Sequence, residues 1–522
     1  MSSRFYDVVV LGRSVGALTA GALLARRDFR VLVLGQGARA PTYRFEQRAL
    51  GRRAFTLLFG ASPLWRRVLS ELAQSPQWKR RAEPLDPMFA VLGQSHRIEL
   101  PPDVEIFARE IEREFPEVRQ IVDELYSSVA AANAAVDGAF EHDGVWPPGT
   151  LWERLGTAHA ASGLPFERGE RAPSLLAKFP GGHPYRDIAS IPVAFATNLG
   201  VPMAELPALA FARLHGAWTR GISALRGGED ELTEFLAERI EAHGGACLFD
   251  RRAESLLIQQ GKAVGVVLDG AEEPTGASVV VSAESGEKLA DLSKGAGVTR
   301  AAERDWPRLS PEAGRFVVSI VVRRAGIPES LPIESFVLPS GTRPDPRRPT
   351  VHLQRRSRDG SGEARGAREG EALLVAECLL PARSSLTVLE ARHAVLETLR
   401  SAFPFLDEHT LVVDSVHDGL PLVDFSTGTR REVERLHITA TSPGREPMER
   451  LWSVEPTGFL GLSGEPVRGP IPNTFLVGPT VLPALGQEGE LLAAWSVARL
   501  VTRRDKARQR IRQKLWSKIE TA

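Results

Sequence analysis

The feature that most constrains the fold is the stretch of residues 6–34, at the start of the chain. Residues 7–11 and 30–34 are short apolar runs of strand length. Between them, residues 15–25 are rich in alanine and leucine and contain no proline, which favours a helix. Gly12 separates the first run from this helix. The order strand, glycine, helix and strand predicts a βαβ unit with parallel strands and a right-handed crossover.

The glycine turn predicts a nucleotide site, because a helix N-terminus offers unpaired N–H groups and a partial positive charge to a pyrophosphate. The turn is an incomplete G-x-G-x-x-G motif with Gly12 at the first glycine, Ser14 at the second and Ala17 at the third, where alanine is allowed. Val15 and Gly16 complete it. Serine is only slightly larger than glycine, so we expect the pyrophosphate contact to be weakened rather than lost.

The end of the second strand departs further from the motif. An acidic residue is expected there to hold the adenosine ribose, but the strand ends in Gly35, followed by Gln36. Loss of a charged hydrogen bond costs about 1.5–3 kcal/mol, which is about one to two powers of ten in affinity. We expect Gln36 to recover part of this with a neutral hydrogen bond.

Two other interpretations of the turn remain open. The residues from Gly12 to Gly16 also spell G-x-S-x-G, the nucleophile elbow of α/β-hydrolases, with Ser14 as the nucleophile. The position argues against it, because only six residues precede the strand and the elbow belongs in the middle of a sheet. The remaining interpretation is a βαβ unit that binds nothing.

Length and composition exclude several classes of protein. The 522 residues are enough for two or three domains, and a formal net charge of zero gives no general case for nucleic acid. Two cysteines and scattered histidines predict neither a disulfide framework nor a metal site. The chain shows no secretory leader and no apolar run of transmembrane length. We therefore expect a cytoplasmic protein, with attachment to a membrane surface left open.

The middle of the chain predicts a second structural unit. Residues 65–220 are expected to be mainly helical and irregular, and residues 315–382 alternate like an antiparallel sheet. Within the latter, residues 355–371 are rich in glycine and charge and predict an exposed loop. Residues 386–403 predict an amphipathic helix.

Two later segments return to the pattern of the first. Residues 231–242 predict a helix between glycine pairs, followed by strands that include a hairpin around residues 260–262 and a buried strand at 278–282. Residues 473–478 predict another strand, followed by a glycine-containing turn and an apolar helix to about residue 500. This second strand–glycine–helix junction also presents a helix N-terminus that can face a ligand.

The C-terminal tail, residues 503–520, has eight basic and two acidic residues, a local charge of +6. Ile511, Leu515, Trp516 and Ile519 share one helical face. This pattern is typical of a basic amphipathic helix on an anionic membrane. A surface helix that docks Trp516 on its own protein is the equal alternative.

Four blocks in the right order resemble the phytoene desaturase-like branch of the flavin amine-oxidase superfamily. The opening YDVVVLG…VLVL resembles the FAD entry strands, and DVEIFAREIEREFPEV resembles the helical substrate region. RGGEDELTEFLAERIEAHGG and the following strands resemble the second cofactor block, and IPNTFLVGPTVLPALGQEG resembles the C-terminal signature. Together the blocks extend over almost the whole chain.

The resemblance implies an α/β fold: a Rossmann-like FAD/NAD(P)-binding domain assembled from residues 1–64, 219–300 and 460–502. It also implies an α+β substrate domain, which consists of residues 65–218 and 301–459. The basic amphipathic tail, residues 503–522, completes the chain. The implied cofactor-binding residues are Gly12, Ser14, Val15, Gly16, Ala17, Gly35, Gln36, Gly478, Gly486, Gln487, Glu488 and Gly489. Ser14, Gly35 and Ala484 depart from the family pattern, and no catalytic acid or base carries over.

The implied function is FAD-dependent desaturation or isomerisation of a long apolar isoprenoid at a membrane surface. The alternative is a flavin-free pseudoenzyme of the same fold that binds a lipid or a protein partner, as Rab GDP dissociation inhibitors do. No nucleic-acid partner and no metal are expected.

Overall fold

The computed structural model describes residues 5–142, 144–271, 273–340, 345, 347–357, 370–456, 458–462 and 464–505. Its strands are β1 (Phe5–Leu11), β2 (Val31–Leu34), β3 (Thr42–Phe45), β4 (Arg48–Gly51), β5 (Ala82–Pro84), β6 (Phe89–Leu92), β7 (Arg97–Leu100), β8 (Ser223–Leu225), β9 (Ala246–Leu248), β10 (Ala253–Gln259), β11 (Lys262–Leu268), β12 (Thr275–Ser282), β13 (Arg308–Arg323), β14 (Glu334–Val337), β15 (Val351–Ser357), β16 (Glu371–Pro381), β17 (Thr410–Asp414), β18 (Leu422–Asp424), β19 (Arg431–Val433), β20 (Glu449–Glu455) and β21 (Thr474–Leu476).

Its α-helices are α1 (Val15–Arg26), α2 (Pro63–Glu71), α3 (Ser75–Arg81), α4 (Val104–Glu114), α5 (Arg119–Glu141), α6 (Leu151–Ala160), α7 (Ala172–Leu175), α8 (Pro184–Ala196), α9 (Ala208–Thr219), α10 (Gly228–Ala242), α11 (Gly286–Leu292), α12 (Arg300–Asp305), α13 (Val388–Ala402), α14 (Leu406–His409) and α15 (Gly486–Arg504). Among the described residues, no helix is long and apolar enough to cross a bilayer.

The first sheet is built around the predicted βαβ unit. Its strand order is β10-β11-β12-β1-β2-β9, with β21 also paired to β12. The strands β21, β12, β1, β2 and β9 run parallel, and β10 and β11 form the predicted antiparallel hairpin. Because β1 and β2 are covered by helices, both are apolar on their two faces. The strands of this sheet lie within the three segments assigned above to the cofactor domain, whose boundaries stay a prediction.

The helix α1 packs between α15 and α10. Its residues from Val15 to Ala25 are all buried, which explains why the helix is small and apolar all round rather than amphipathic. The first helix of the chain therefore lies directly beside its last described helix.

The second sheet has the order β19-β18-β17-β13-β16-β15-β14-β6-β7, with β20 paired to β13. All of its strand pairs are antiparallel except the pair of β6 and β14, which is parallel. The antiparallel sheet predicted for residues 315–382 is therefore confirmed. One face packs on α13 and the other on β3 and β4.

The structure adds detail to two predictions for the middle of the chain. Residues 65–220 are mainly helical, as predicted, but β6 and β7 form a hairpin that extends the second sheet through a long-range pairing with β14. The loop predicted for residues 355–371 is shorter at both ends, since β15 runs to Ser357 and β16 starts at Glu371. The rest of that loop and the tail from residue 506 lie outside the described residues.

Candidate functional site

The carboxyl ends of four parallel strands meet at one edge of the first sheet. The register aligns the last residues of β1, β2, β12 and β21. The segments that follow contain Gly12, Gly35, Ala283 and Gly478, so they lie at the same edge. Open α/β sheets bind ligands at this edge. The two strand–glycine–helix junctions predicted at opposite ends of the chain are therefore brought together.

Gly12 and Gly478 both pack against Ala283. Gly12 has a φ of 102°, which favours glycine, and a Cβ there would lie 2.7 Å from the Cβ of Ala283. A Cβ at Gly478 would overlap the carbonyl oxygen of Ala283 and lie 2.7 Å from its carbon. Both glycines are thus required by the close approach of three strand ends, whatever binds in front of them.

The N-terminus of α1 already carries two internal hydrogen-bond acceptors. Ser14 is the N-cap, and its Oγ accepts from the N–H of Ala17 at 3.3 Å. The N–H of Gly16 donates to Oε2 of Glu490 in α15 at 3.2 Å. A Cβ at Gly16 would overlap the carbonyl oxygen of Val477, so this glycine allows α1 to approach β21. Val15 lines the open side of the turn.

Glu490 was missed by the sequence analysis. Its side chain is buried, and burial raises the pKa of its carboxyl to about 7, against the hydrogen bonds from Ser14 and Gly16. Glu449 raises this pKa further and Arg53 lowers it. No local pattern marks this residue, because Glu490 and Gly16 are 474 positions apart in the sequence.

The end of β2 is closed by the segment that follows β9. A Cβ at Gly35 would overlap the carbonyl oxygen of Phe249 and lie 2.7 Å from its carbon, so the missing acid has no room here. The amide of Gln36 donates to the carbonyl of Ala253 at 3.0 Å and accepts from its N–H at 2.9 Å. The Gln36 amide is thus directed at the backbone of β10, and its bond to a ribose stays a prediction.

The predicted residues at the start of α15 also have internal partners. Gln487 donates to the carbonyl of Thr56 at 3.0 Å and accepts from the N–H of Leu58 at 3.3 Å. Glu488 is buried and accepts from Arg213 at 2.6 Å and from the hydroxyl of Ser62 at 2.5 Å. The Arg213 guanidinium holds the pKa of Glu488 below its usual range despite burial.

The glycines on either side of Gln487 and Glu488 are needed for packing. A Cβ at Gly486 would overlap the carbonyl oxygen of Ala196, and one at Gly489 would overlap that of Leu482. The assignment of these four residues as cofactor-binding stays a prediction, and each has a structural role that is sufficient to explain it.

Several arginines in the segment that follows β2 are paired with carboxylates. Arg52 bonds Glu446 at 2.8 Å, and Arg39 pairs with the same carboxylate. Arg53 forms a bidentate pair with Glu229. The three arginines also line a cleft.

The cleft lies in front of the glycine turn and has a volume of about 500 Å³. One end is formed by the turn from Gly12 to Val15, and Gln487 and Glu490 also line it. At the other end the lining includes Phe195 and Trp218. The cleft therefore extends from the carboxyl edge of the first sheet to aromatic side chains beside the second sheet, and its volume is in the range of small-molecule sites.

The aromatic end also contains ionisable side chains. Arg315 bonds Glu377 at 2.7 Å, and Nε2 of His352 lies 2.7 Å from Glu334. Burial lowers the pKa of His417, so its imidazole is neutral at pH 7. Within the described residues, Nε2 of His417 is buried without a hydrogen-bond partner. Most of the charge at this end is thus compensated within the protein.

The donor set at the glycine turn suits an anion such as the diphosphate of FAD. The N–H of Gly16 at the α1 N-terminus donates to the carboxyl of Glu490 and favours its charged form, although burial outweighs this and raises the pKa of that carboxyl to about 7. The open cleft lies in front of the same turn. Contact to an adenosine ribose is weaker, because Gly35 has no side chain and the Gln36 amide is held by two hydrogen bonds to the backbone of Ala253.

No family model matches this sequence. A curated relative is 4,4'-diapophytoene desaturase (4,4'-diapolycopene-forming) from Methylomonas sp, 25% identical over 297 residues. The match covers 55% of this chain and 55% of the relative, so the chain spans about half the length of the curated relative it matches.

Solved structures share the fold over nearly the whole chain. An oxidoreductase from Methanosarcina mazei has a TM-score of 0.61 at 16% identity, covering 94% of this chain and 99% of its own. A putrescine oxidase variant redesigned in its cofactor binding has a TM-score of 0.56 at 14% identity, covering 97% of this chain and 100% of its own. Rab GDI from Plasmodium falciparum has a TM-score of 0.52 at 11% identity, covering 95% of this chain and 98% of its own. The chain therefore has the fold of these proteins, and over about half of its length its sequence is similar to that of a diapophytoene desaturase.

Proposed function

We propose that this protein is an FAD-dependent oxidoreductase of the desaturase type, acting on a long apolar substrate such as an isoprenoid polyene. The observation that carries the proposal is the continuous cleft of about 500 Å³ between the glycine turn and the aromatic side chains. The desaturase named as a relative supports the reaction class and the substrate class.

The turn would hold the diphosphate of FAD. Val15, at the positive end of α1, lines the cleft there, and Pro479 and Gln487 line it as well. When bound, FAD supplies the electron acceptor for removal of hydrogen from a carbon–carbon bond. The protein's own contribution is to position the substrate and to keep water away from it.

The aromatic end would take the hydrocarbon. Phe195 and Trp218 line it, and the ring of Phe336 packs on both from behind, at centroid distances of 5.6 and 5.2 Å. Aromatic faces bury large apolar areas and pack well on flat polyenes. The pairing of Arg315 with Glu377 and of His352 with Glu334 reduces the cost of placing hydrocarbon beside charged groups.

A second candidate is a flavin-free protein of this fold that binds a lipid or a protein. It is favoured by the internal hydrogen bonds of Gln36 and Gly16, which occupy two positions that a dinucleotide would use. A Rab GDI shares the fold, so the fold alone does not require catalysis.

The visible absorption spectrum of the purified protein tests the two candidates. A flavin band, released into the supernatant on heat denaturation, would support the oxidoreductase. A flat spectrum that remains flat after incubation with excess FAD at pH 5.5, 7 and 8.5 would refute it and favour the flavin-free protein.

The substrate class is tested on flavin-loaded protein. We expect 4,4'-diapophytoene to gain conjugated absorption bands, with putrescine as the polar control. Oxidation of putrescine without any change in the polyene would refute the apolar substrate.

A further inference from the structure

The α1 N-terminus, which would receive the cofactor diphosphate, is in contact with a carboxylate of the protein. Glu490 lies on α15 and accepts from the N–H of Gly16 at 3.2 Å. The next N–H, that of Ala17, is capped by Ser14. Two of the donors in the first turn are therefore already satisfied by side chains.

A second anion at this position is strongly disfavoured while Glu490 is charged, since like charges in a partly buried site repel with little screening. Glu490 is only 9% exposed and lines the cleft. An arriving diphosphate would meet this carboxylate at the same helix terminus.

Other charged groups face Glu490 from the elements packed around it. Arg53, in the segment after β4, favours the charged carboxylate, and Glu449 of β20 opposes it. Arg13 and Glu229 line the same part of the cleft. Arg53 is itself bonded to Glu229, which leaves it less able to compensate Glu490.

We propose that Glu490 controls the affinity of this cleft for a diphosphate: the protonated side chain yields the α1 N-terminus to the ligand, and the ionised side chain excludes it. This inference rests on the proposed function, because it concerns the binding of FAD to the same cleft. It makes Glu490 a specificity-determining residue rather than a catalytic one.

The expected consequence is a steep loss of affinity with rising pH. Burial places the pKa of Glu490 at about 7. If only the neutral form binds, the apparent dissociation constant rises by about tenfold for each pH unit above that value. Between pH 7 and 8.5 the affinity for FAD should fall by about 15-fold, and below pH 6 it should be nearly constant.

The experiment measures FAD and ADP binding by isothermal titration calorimetry from pH 5.5 to 8.5. ADP carries the diphosphate without the flavin, so the two ligands separate the turn from the rest of the cleft. The test variant is Glu490→Gln, which keeps the shape and an acceptor for the Gly16 N–H. The matched control is Glu284→Gln, which removes one carboxylate from the rim of the same cleft, where Glu284 pairs with Lys288. Thermal unfolding verifies that both variants are folded.

We expect Glu490→Gln to bind FAD and ADP at least tenfold more tightly than wild type at pH 8.5, with an affinity that no longer changes with pH, while Glu284→Gln keeps the wild-type pH profile. Equal, pH-independent FAD affinity in wild type and Glu490→Gln would overturn the role of Glu490 and leave the proposed function intact. Tighter ADP binding by Glu490→Gln without any FAD binding would refute the proposed function and support the role of Glu490. If neither FAD nor ADP binds to wild type or to Glu490→Gln at any pH, the proposed function and the role of Glu490 are both overturned.

Discussion

The substitution Gly35→Ala tests whether the end of β2 is closed by the protein itself. The added Cβ would overlap the carbonyl oxygen of Phe249 and lie 2.7 and 2.9 Å from its carbon and Cα. These are backbone atoms, so no side-chain rotation relieves the contact. The segment after β9 must therefore retreat by about 1.5 Å to restore an ordinary contact.

The cost follows from what holds that segment in place. Overpacking in a buried site costs about 1–3 kcal/mol. The retreat also strains the two hydrogen bonds between Gln36 and Ala253, each contributing about 1 kcal/mol. We expect Gly35→Ala to lower the free energy of unfolding by about 3–5 kcal/mol. Gly35→Asp should be at least as destabilising, so introducing the acid typical of dinucleotide folds does not create a ribose contact here.

Urea unfolding followed by circular dichroism measures the loss. The matched control is Gly37→Ala, two residues along the chain, where a Cβ has no neighbour within 4 Å. Its φ of 76° alone should cost about 1–2 kcal/mol. If Gly35→Ala unfolds at the urea concentration of wild type or of Gly37→Ala, the close approach of Phe249 to Gly35 is wrong.

Three further predictions concern other residues of the site and the tail. Glu488→Gln should lower the free energy of unfolding by about 3–5 kcal/mol, because it leaves the buried Arg213 without one carboxylate. Since the pKa of Glu488 is lowered in the folded state, the stabilisation by its carboxylate is present above about pH 4.3 and is lost as the pH falls through the folded-state pKa. The urea midpoints of wild type and variant should therefore converge in acid. Ser14→Ala should cost about 1 kcal/mol through loss of the α1 cap and leave any ester hydrolysis unchanged, whereas an esterase activity that disappears with Ser14 would support the nucleophile elbow. If the tail is the membrane helix that is one of its two predicted alternatives, deletion of residues 503–522 should abolish sedimentation with anionic vesicles, and anionic binding that survives the deletion would contradict that alternative.

The elements that bear the site could be predicted because each depends on local patterns. The run from residue 7 to 11, Gly12 and the alanine-rich segment after it predict β1, the turn and α1, and all three are present. The second junction at β21 and α15 follows from the same pattern. The hairpin β6–β7 was missed because its pairing with β14 is decided by partners more than 200 residues away, to which local propensity is blind.

The partners of the site residues could not be predicted from the sequence. Gln36 is a reasonable ribose ligand in isolation, and only the fold brings Ala253 to its amide, 217 positions along the chain. Glu488 looks like a ligand-facing acid in a glycine-rich turn, yet the packing of α9 against the start of α15 gives it Arg213 as a buried counter-ion.

The sequence by itself determined the parallel βαβ unit, the second glycine junction and the positive end of α1, because hydrophobic periodicity and glycine act within a few residues. Only the tertiary structure decided what faces that positive end. Because Gly12, Gly16 and Gly478 have no Cβ, the two junctions can pack closely against Ala283 and Val477. This packing places the carboxylate of Glu490 beside the N–H of Gly16. The charge at the turn, and with it the affinity of the cleft for a diphosphate, is a property of that long-range contact.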